Sequence, residues 1–505
     1  MTARPGTLAA TPAMPPTTTR RRFLEATGLA AAAGMFAPRT LDSSGAIGRP
    51  DRPNIVVVVV DTLRVDHVYG ARALTPNMDA LAREGLRFTR AFPEAMPTVP
   101  ARKSILTGRR QFPFRRWHDY PGLMAMPGWT PIRDGETSFT AVLRHAGYWT
   151  AYATDNPFLG WAKSYERFRR GFDRFARRGG QVGVGGSNYR VSDRELMHWL
   201  HPVLRGDPKV RERVRLYMAN GGYWHDESRS FAARVFTDGA QLLDAAARNR
   251  PFALVVDTFE PHEPWTPPRS YIDLYGDPDY HAPEPSKPYY APVSSYIDPS
   301  AADTVLGRMR ALYAAEVTMT DRWLGVFMDR MYELGLDRDT VIVLVADHGI
   351  LLGDHGWTGK ISIKLHPELA QVPFVIVHPE RRLAGESDAY FASTHDLGPT
   401  LLAMAGVETP RSMDGIDLST LFEGRRPPER PFAYGGYSNA HFLRTDRWAL
   451  IASNRADNMQ LFDLKSDPGE REDLAGSRPK KTRELHKHVV EQAGGMLPYY
   501  GNAAQ

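Results

Sequence analysis

A short run of β-branched residues restricts what this chain can fold into. Residues 54–60 read Asn-Ile-Val-Val-Val-Val-Val and are followed directly by Asp61. Such a run is too short for a buried helix and is typical of a strand covered on both faces in a parallel sheet. Strand patterns at 149–153, 252–257 and 341–346 alternate with helical patterns over roughly 350 residues. We therefore predict an α/β fold with a doubly wound, mostly parallel sheet sandwiched by helices.

The chain is predicted to contain one large catalytic domain and a smaller C-terminal part. Helical patterns accompany the strands at 75–84, 138–145, 229–248 and 317–334. From about residue 427 the periodicity shortens to strand-like pieces at 434–437 and 448–453, and a polar helix is predicted at 480–492. We expect a catalytic α/β domain over 50–425 and a C-terminal α+β subdomain over 426–505. A Pro-, Tyr- and Asp-rich loop over 269–299 is either a rim of the active-site cleft or a surface excursion.

Residues 1–45 are predicted to be an export signal and a disordered linker. Residues 19–25 read Thr-Arg-Arg-Arg-Phe-Leu-Glu, and a weakly apolar run of small residues follows at 28–34. This order resembles a twin-arginine signal, although Glu25 replaces the usual Lys, and the alternative is a disordered basic tail. We expect a periplasmic or secreted protein with the twin-arginine export machinery as a partner. No stretch approaches the ~20 apolar residues that span a bilayer, so no stable membrane span is expected.

The composition excludes several kinds of chemistry. The sequence contains no Cys, which excludes disulfides, thiolate metal sites, iron–sulfur clusters and a Cys nucleophile. The net charge of +5 lies mostly in residues 1–52, which contain seven Arg and three acidic residues. The rest of the chain is therefore almost neutral, and no nucleic-acid partner is expected.

Candidate metal ligands follow two of the predicted strands. Asp61 comes directly after the first strand, and the pair Asp347 and His348 follows the strand at 341–346. Open α/β sheets place their chemistry at the carboxyl edge of the strands, so these side chains are expected to meet. Two carboxylates and one imidazole suit a divalent cation. Taken singly, Asp61 could instead cap a helix and His348 could be a hydrogen-bonded edge histidine.

Six short motifs stand out along the chain. The motifs are Asp-Thr-Leu-Arg at 61–64, Thr-Pro-Asn-Met-Asp at 75–79, Glu-Pro-His-Glu-Pro-Trp at 260–265, Asp-His-Gly at 347–349, Gly-Asp-His-Gly at 353–356 and Asp-Leu-Gly-Pro-Thr-Leu-Leu at 396–402. In this order they resemble the motifs of the sulfatases, a family of the alkaline phosphatase superfamily, and the segment 461–470 resembles the C-terminal domain of that family. The resemblance runs from about residue 52 to about residue 475 and implies a metal-dependent ester hydrolase.

The chain departs from the sulfatase pattern at the nucleophile. Sulfatases carry a Cys or Ser that is oxidised to formylglycine, whereas residues 97–102 here read Pro-Thr-Val-Pro-Ala-Arg and Thr98 occupies that slot. Formylglycine is not possible, because oxidation of Thr would give a ketone. A Thr ester has no geminal diol to collapse, so water must attack the transferred group in line, which is ordinary for phosphorus at a metal site. Other branches of the superfamily use Thr in this way, as the resemblance implies, which favours phosphorus over sulfur.

The remaining roles are predicted from charge together with the resemblance. Asp61, Asp347 and His348 are expected to hold the divalent cation, which also binds the Thr98 oxygen. The cation is calcium, or manganese or zinc in view of the imidazole ligand. A second metal site could include the residues His366 and His395, but structural roles are the other interpretation of these two histidines.

Four further residues complete the predicted site. Arg102 is expected to bridge the Thr98 oxygen and a bound oxyanion, and His262 is the candidate acid for the leaving oxygen. Lys360 resembles an anion-binding Lys of the family, the alternative being a surface Lys. Asn156 and Phe158 occupy slots where the family has a Lys and a His, and Asn156 is predicted to bind substrate.

Three functions are compatible with this pattern. The favoured function is a metal-dependent hydrolase that cleaves phosphate ester or phosphonate bonds of a small anionic substrate through Thr98. The second is a sulfuric ester hydrolase, similar to arylsulfatases, that uses an unmodified Thr. The third is an exported binding protein on a catalytically decayed scaffold, against which the joint retention of Arg102, His262 and Lys360 argues.

Overall fold

The apolar run that dominates the sequence forms the fully buried strand β1 (Asn54–Val60) inside a large sheet of the computed structural model. The structure describes residues 52–70, 72–179, 190–221 and 226–501. The predicted export signal lies outside these residues. Within the described part of the chain, no helix is both long enough and apolar enough to cross a bilayer.

The described strands form a large sheet, a smaller sheet and a two-stranded ribbon. The other strands are β2 (Leu86–Phe92), β3 (Ala95–Met96), β4 (Trp149–Thr154), β5 (Arg174–Arg177), β6 (Phe252–Thr258), β7 (Thr340–Ala346), β8 (Leu351–Leu352), β9 (Thr358–Gly359), β10 (Phe374–Val377), β11 (Ser387–Ser393), β12 (Ala433–Tyr437), β13 (Ala440–Arg444), β14 (Trp448–Ser453) and β15 (Met459–Asp463). The large sheet has the order β11-β2-β10-β7-β1-β6-β4-β5. Only β10 runs antiparallel to its neighbours in this sheet. The predicted mostly parallel α/β fold is confirmed.

The structure describes thirteen α-helices, and the last of them packs on the smaller sheet. They are α1 (Pro76–Glu84), α2 (Thr98–Thr107), α3 (Phe139–His145), α4 (Pro157–Trp161), α5 (Glu166–Arg170), α6 (Asp193–His198), α7 (Pro208–Gly221), α8 (Phe231–Ala246), α9 (Arg269–Ile272), α10 (Ala302–Glu333), α11 (Pro367–Ala370), α12 (Leu397–Met404) and α13 (Pro479–Gln492). One group consists of α1, α8 and α10, with α8 packed on β4 and β6. A second group consists of α2, α3 and α12, with α3 packed on β4.

The longest helix differs from its prediction. The periodicity predicted a helix at 317–334, whereas α10 already begins at Ala302. Its first half buries the charged residues Arg308 and Glu316, which interrupt the apolar period. Arg308 can be buried there because it donates to both carboxylate oxygens of Glu284, at 2.6 and 2.7 Å. Because the partner of Arg308 lies in a distant loop, the local sequence pattern could not predict that this half of the helix is buried.

The C-terminal strands build the smaller sheet. Strands β12 to β15 pair in an antiparallel meander, and β3 pairs in parallel with β12. Helix α13 packs on this sheet through Leu485 and Val489, which lie in a core with Leu443, Leu450 and Leu461. Each of these side chains contributes about 1.5–3 kcal/mol by its burial. Because β3 ends two residues before Thr98, the small sheet anchors the segment that leads into α2. The domain boundary at 425 remains a prediction.

Candidate active site

Two strand ends bring three metal-ligand side chains together. Strands β1 and β7 pair in register through Val60 and Ala346, so Asp61 and Asp347 emerge at the same edge, with His348 next. All three residues are fully buried, and one ligand atom of each lies within 4.8 Å of the others. No other group of this kind occurs among the described residues.

The backbone at this edge holds the carboxylates in place. Thr62 has φ of 58°, in the left-handed region that β-branched residues rarely adopt. Its amide donates to Asp347 Oδ1 at 2.9 Å, and the amide of His348 donates to the same oxygen at 2.7 Å. The Tyr313 hydroxyl also donates to the Thr62 carbonyl at 2.8 Å. The unfavourable backbone conformation is thus fixed by hydrogen bonds that orient the Asp347 carboxylate.

The donor set fits a divalent cation. His348 Nδ1 donates to the Gly349 carbonyl at 2.8 Å, which leaves the Nε2 lone pair for a metal. Burial lowers the pKa of His348 to about 4, so its imidazole is neutral at pH 7. Burial, followed by repulsion from Asp347, raises the pKa of Asp61 to about 6. Such a raised value is expected where two carboxylates share one buried site.

Thr98 lies next to the metal-ligand group. It is the first residue of α2, is 3% exposed, and its Oγ1 lies 3.5 Å from His348 Nε2. The partial positive charge of a helix N-terminus favours an anionic oxygen at such a position. The predicted nucleophile and the predicted ligands therefore meet at one buried point.

Arg102, one turn further along α2, is bound by three carboxylates. Its Nε and Nη2 donate to Asp257 at 2.7–3.0 Å, and its Nη1 donates to Asp61 at 2.9 Å and also to Asp347. The Tyr152 hydroxyl donates to Asp257 at 2.8 Å. Nη1 lies 3.4 Å from the Thr98 carbonyl oxygen. The guanidinium thus reaches the first turn of α2 and the candidate metal ligands at the same time.

The buried Lys360 and the partly buried His262 form a second cluster of polar groups. Lys360 Nζ lies 3.0 Å from His262 Nε2 and donates to the Glu263 carboxylate at 2.9 and 3.1 Å. His262 stacks on Phe259, with 4.2 Å between ring centroids. Burial lowers the pKa of His262 to about 4. The charge of Lys360 also contributes to the low pKa of His348, so this cluster lies within electrostatic reach of the metal-ligand group.

Comparison with known proteins identifies the family. The family model described as Sulfatase matches residues 53–407, most of the chain. The chain belongs to the sulfatase family. A second model, described as N-sulphoglucosamine sulphohydrolase, C-terminal, matches residues 353–494. The protein is therefore a sulfatase-family ester hydrolase, as the motifs predicted. Members of the family depend on a metal, and Asp61, Asp347 and His348 form a group that could hold it.

The similar proteins include sulfatases and a more broadly named relative. An arylsulfatase of Clostridium perfringens is 27% identical, over 88% of this chain and 95% of its own. A multifunctional alkaline phosphatase superfamily protein of Trinickia caryophylli is 25% identical, over 84% of this chain and 91% of its own. Among solved structures, the phosphonate monoester hydrolase of Agrobacterium radiobacter has a TM-score of 0.66 and 21% identity, covering 88% of this chain and 96% of its own. That likeness supports the sulfatase-like fold.

At the slots where sulfatases have a Lys and a His, this chain has two uncharged side chains. Asn156 Oδ1 accepts from the amides of Phe158 and Leu159 at 3.0 and 3.1 Å and so caps α4. Asn156 Nδ2 is buried and has no hydrogen-bond partner within the described parts of the chain. The ring of Phe158 packs edge-on against Trp129. Asn156 therefore offers one buried amide donor without a described partner.

His366 and His395 do not join the metal-ligand group. His366 Nδ1 lies 2.8 Å from a Glu470 oxygen, and its ring stacks on His355 at 3.5 Å. His395 Nδ1 lies 2.8 Å from Ser393 Oγ. These contacts correspond to the structural interpretation of both residues.

The motifs missed three residues of the site. Asp257 is the last residue of the predicted strand at 252–257 and the penultimate residue of β6, where it pairs with Val59, so its position near a strand end was a usable signal. Glu263 follows His262 in the motif at 260–265, but nothing in that motif indicates its hydrogen bonds with Lys360. Tyr290 belongs to the Tyr-rich loop at 269–299, and its hydroxyl donates to Glu263. This contact makes the loop a rim of the site.

Proposed function

We propose that this sulfatase-family hydrolase cleaves phosphate ester or phosphonate bonds with Thr98 as its nucleophile. The observation that carries the proposal is the buried Thr98 hydroxyl 3.5 Å from His348 Nε2, beside Asp61 and Asp347. The chain has no Cys that could be converted to formylglycine, and Thr cannot be converted. A covalent Thr ester is resolved by in-line attack of water, which suits phosphorus better than sulfur.

The metal and the protein groups have separate tasks in this proposal. Asp61, Asp347 and His348 would hold a divalent cation, whose chemistry is Lewis-acid stabilisation of anionic oxygens. Thr98 attacks the ester, and Arg102 stabilises the charge that develops near its helix turn. Lys360 and His262 serve the leaving oxygen. Asn156 contributes its unpartnered amide donor to the substrate.

The charges of the site favour substrates with one negative charge. Arg102 is surrounded by Asp61, Asp257 and Asp347, and Lys360 is paired with Glu263. The nearby Lys287 ammonium lies 3.7 Å from Glu263. Four carboxylates therefore face three cations, and a divalent metal changes the sum to one positive charge. Phosphate diesters, phosphonate monoesters and sulfate esters complement that charge better than dianionic phosphate monoesters.

A substrate panel tests the proposal. The purified protein is first analysed for bound metal and is then assayed with an aryl phosphate monoester, a phosphate diester, a phosphonate monoester and an aryl sulfate. We expect the diester and the phosphonate monoester to have the highest kcat/KM. Turnover of the aryl sulfate alone would contradict the preference for phosphorus and favour the arylsulfatase alternative.

We also propose export by the twin-arginine route, supported by the pattern at residues 19–34. Replacing Arg20 and Arg21 with Lys removes the paired guanidinium groups but keeps the charge. The expected result is accumulation of the variant inside the cell while the parent protein is exported. Equal export of both proteins would contradict the route.

A further inference from the structure

A buried ion pair lies beside the metal-ligand group. Glu263 and Lys360 are 3% and 7% exposed, and Lys360 Nζ donates to both carboxylate oxygens of Glu263, at 2.9 and 3.1 Å. Removing two charges from water costs several kcal/mol for each ion, so a buried pair persists only with good geometry. The third donor of the ammonium group faces His262 Nε2 at 3.0 Å. All three ammonium protons thus have acceptors.

The hydrogen bonds of His262 decide which residue holds the proton. His262 Nδ1 donates to the Glu263 carbonyl at 2.7 Å, so Nδ1 carries the imidazole proton and Nε2 is a lone pair. Burial lowers the pKa of His262 to about 4, and Lys360 acts in the same direction against the opposite effect of Glu263. At neutral pH the proton between Lys360 and His262 therefore belongs to Lys360. An acid in this cluster must be the ammonium group.

We propose that Glu263 is a positioning residue that holds Lys360 as the proton donor to the leaving oxygen, an assignment that rests on the ester hydrolysis proposed above. Glu263 holds two of the three ammonium protons, and the third faces the neutral His262 Nε2. In the proposed arrangement this third proton is the one that passes to the leaving oxygen. Tyr290 supports the arrangement from the rim, because its hydroxyl donates to the Glu263 carboxylate. Lys287, 3.7 Å from Glu263, is the second cation on the same carboxylate.

The proton balance of the reaction is complete. Thr98 enters as the alkoxide after its proton has left to bulk water. Its lone pair forms the bond to phosphorus while the bond from phosphorus to the leaving oxygen breaks, and the leaving oxygen takes a proton from Lys360 Nζ. In the second step, water gives its hydroxide to phosphorus and its proton to the Lys360 amine. The Thr98 alkoxide and the Lys360 ammonium are both regenerated.

The groups around Lys360 come from three parts of the chain. Glu263 and His262 face it from the segment after β6, Lys287 and Tyr290 face it from the rim, and the Tyr437 hydroxyl of β12 donates to its backbone carbonyl at 3.4 Å. Glu263 is the negative side chain in contact with the ammonium group, while the charge of Asp61 acts on His262 and Tyr290 from the metal-ligand group. Removal of Glu263 leaves a buried ammonium beside Lys287 without a counter-charge, which favours the neutral amine.

Leaving-group dependence tests the proposal. The Mn²⁺-loaded parent enzyme and the Glu263→Gln variant are compared on aryl phosphonate monoesters whose leaving groups range from 4-nitrophenol to phenol. Because 4-nitrophenolate departs without a proton, we expect a loss in kcat/KM, which reports the step that releases the leaving group, below about tenfold for that ester and of at least about 100-fold for the phenyl ester. The basic limb of the kcat–pH profile should move to lower pH. Glu284→Gln, the same change in the buried pair with Arg308, is the matched control and should alter neither readout.

Several outcomes separate the alternatives. A uniform loss across the leaving groups, or an unmoved basic limb, would overturn the role of Glu263. Retained activity of Thr98→Ala in the same assay would refute the proposed nucleophile whatever Glu263 does. If Glu263→Gln does not fold, Tyr290→Phe removes one hydrogen bond to Glu263 from a residue that is 41% exposed. That variant should show a smaller change in the same direction, and an equal response to all leaving groups would overturn the proposal.

Discussion

Arg102 links helix α2, which begins at Thr98, to the strand ends. Its guanidinium contacts Asp61, Asp257 and Asp347, and none of these four side chains is more than 1% exposed. The pKa of Arg102 is raised well above its ordinary value, because attraction to Asp257, Asp347 and Asp61 outweighs the opposing effect of burial. The position of the whole cluster therefore depends on charges that compensate one another inside the protein.

Asp257→Asn is predicted to destabilise the protein by about 3 kcal/mol, because it breaks a buried bidentate ion pair. Denaturant unfolding of the parent and the variant measures the change. Tyr152→Phe, which removes only one neutral donor to Asp257, is the control and should cost about 1 kcal/mol. Equal stability of Asp257→Asn and the parent would contradict the view that Asp257 is the anchor of Arg102.

The site residues that could be predicted from the sequence are those that lie in recognisable local patterns. Asp61, Asp347 and His348 follow β-branched strands, and Thr98 and Arg102 lie in a recognisable segment. Glu263 and Tyr290 could not be found in this way. Glu263 contacts Tyr290, 27 residues away, and Lys360, 97 residues away. No local sequence pattern encodes contacts over such separations.

At the scale of secondary structure, helix α8 begins on a buried carboxylate. Glu260 accepts from the amides of Phe231 and Ala232, at 3.1 and 2.9 Å, so it satisfies two of the free N–H groups of the first turn. Burial nevertheless raises the pKa of Glu260 to about 7. Nearby, burial and then repulsion from Glu260 raise the pKa of Asp155 well above its ordinary value. The helix start is thus coupled to a titrating group.

The parent protein should lose stability relative to Glu260→Gln as the pH rises. Below the ordinary pKa of a Glu, Glu260 is protonated in both the folded and the unfolded state. Between that pKa and about pH 7 the unfolded state loses the proton more readily than the folded state, so the free energy of unfolding of the parent falls as the pH rises through this range. We expect a difference of about 3 kcal/mol between pH 4.5 and pH 8, measured by urea unfolding. Glu472→Gln, an exposed control, should show no such trend. Parallel curves for the parent and Glu260→Gln would contradict the prediction.

The predicted elements succeeded where the packing is local and failed where it is not. Strand β1 and helix α1 were predicted almost to the residue, because the continuous apolar run of β1 is buried on both faces and the apolar residues of α1 lie on its one buried face. The first half of α10 was missed because Arg308 is neutralised by Glu284 from a separate loop. The pairing of β3 with β12 could not be predicted, since β3 has only two residues and its partner lies more than 300 residues away.

At the scale of the whole molecule, the metal-ligand group draws on two distant parts of the chain. Asp61 and Asp347 lie on neighbouring strands of the large sheet, and a cation between them would bind the folded protein only. Binding of a ligand to the folded state alone adds about 2.7 kcal/mol at 100 times its Kd. Global stability should therefore report the occupancy of this site.

Mn²⁺ is predicted to raise the Tm of the parent protein by a few degrees at saturation, and a chelator should reverse the rise. Asp347→Asn, which removes one ligand charge, should abolish most of the effect. Asp446→Asn, at an exposed carboxylate, is the control and should retain it. Scanning calorimetry at several Mn²⁺ concentrations measures these shifts. Equal shifts in the parent and Asp347→Asn would place the metal elsewhere.

The central claim is that the Thr98 oxygen forms a bond to the transferred group. The most direct measurement is rapid acid quenching of the enzyme during turnover of an aryl phosphonate monoester, followed by mass spectrometry of the peptide that contains residue 98. We expect a phosphonyl adduct on Thr98, no adduct in Thr98→Ala, and a fall in kcat of at least about 1,000-fold in that variant. An unmodified Thr98 during steady turnover, together with a loss below tenfold in Thr98→Ala, would contradict it.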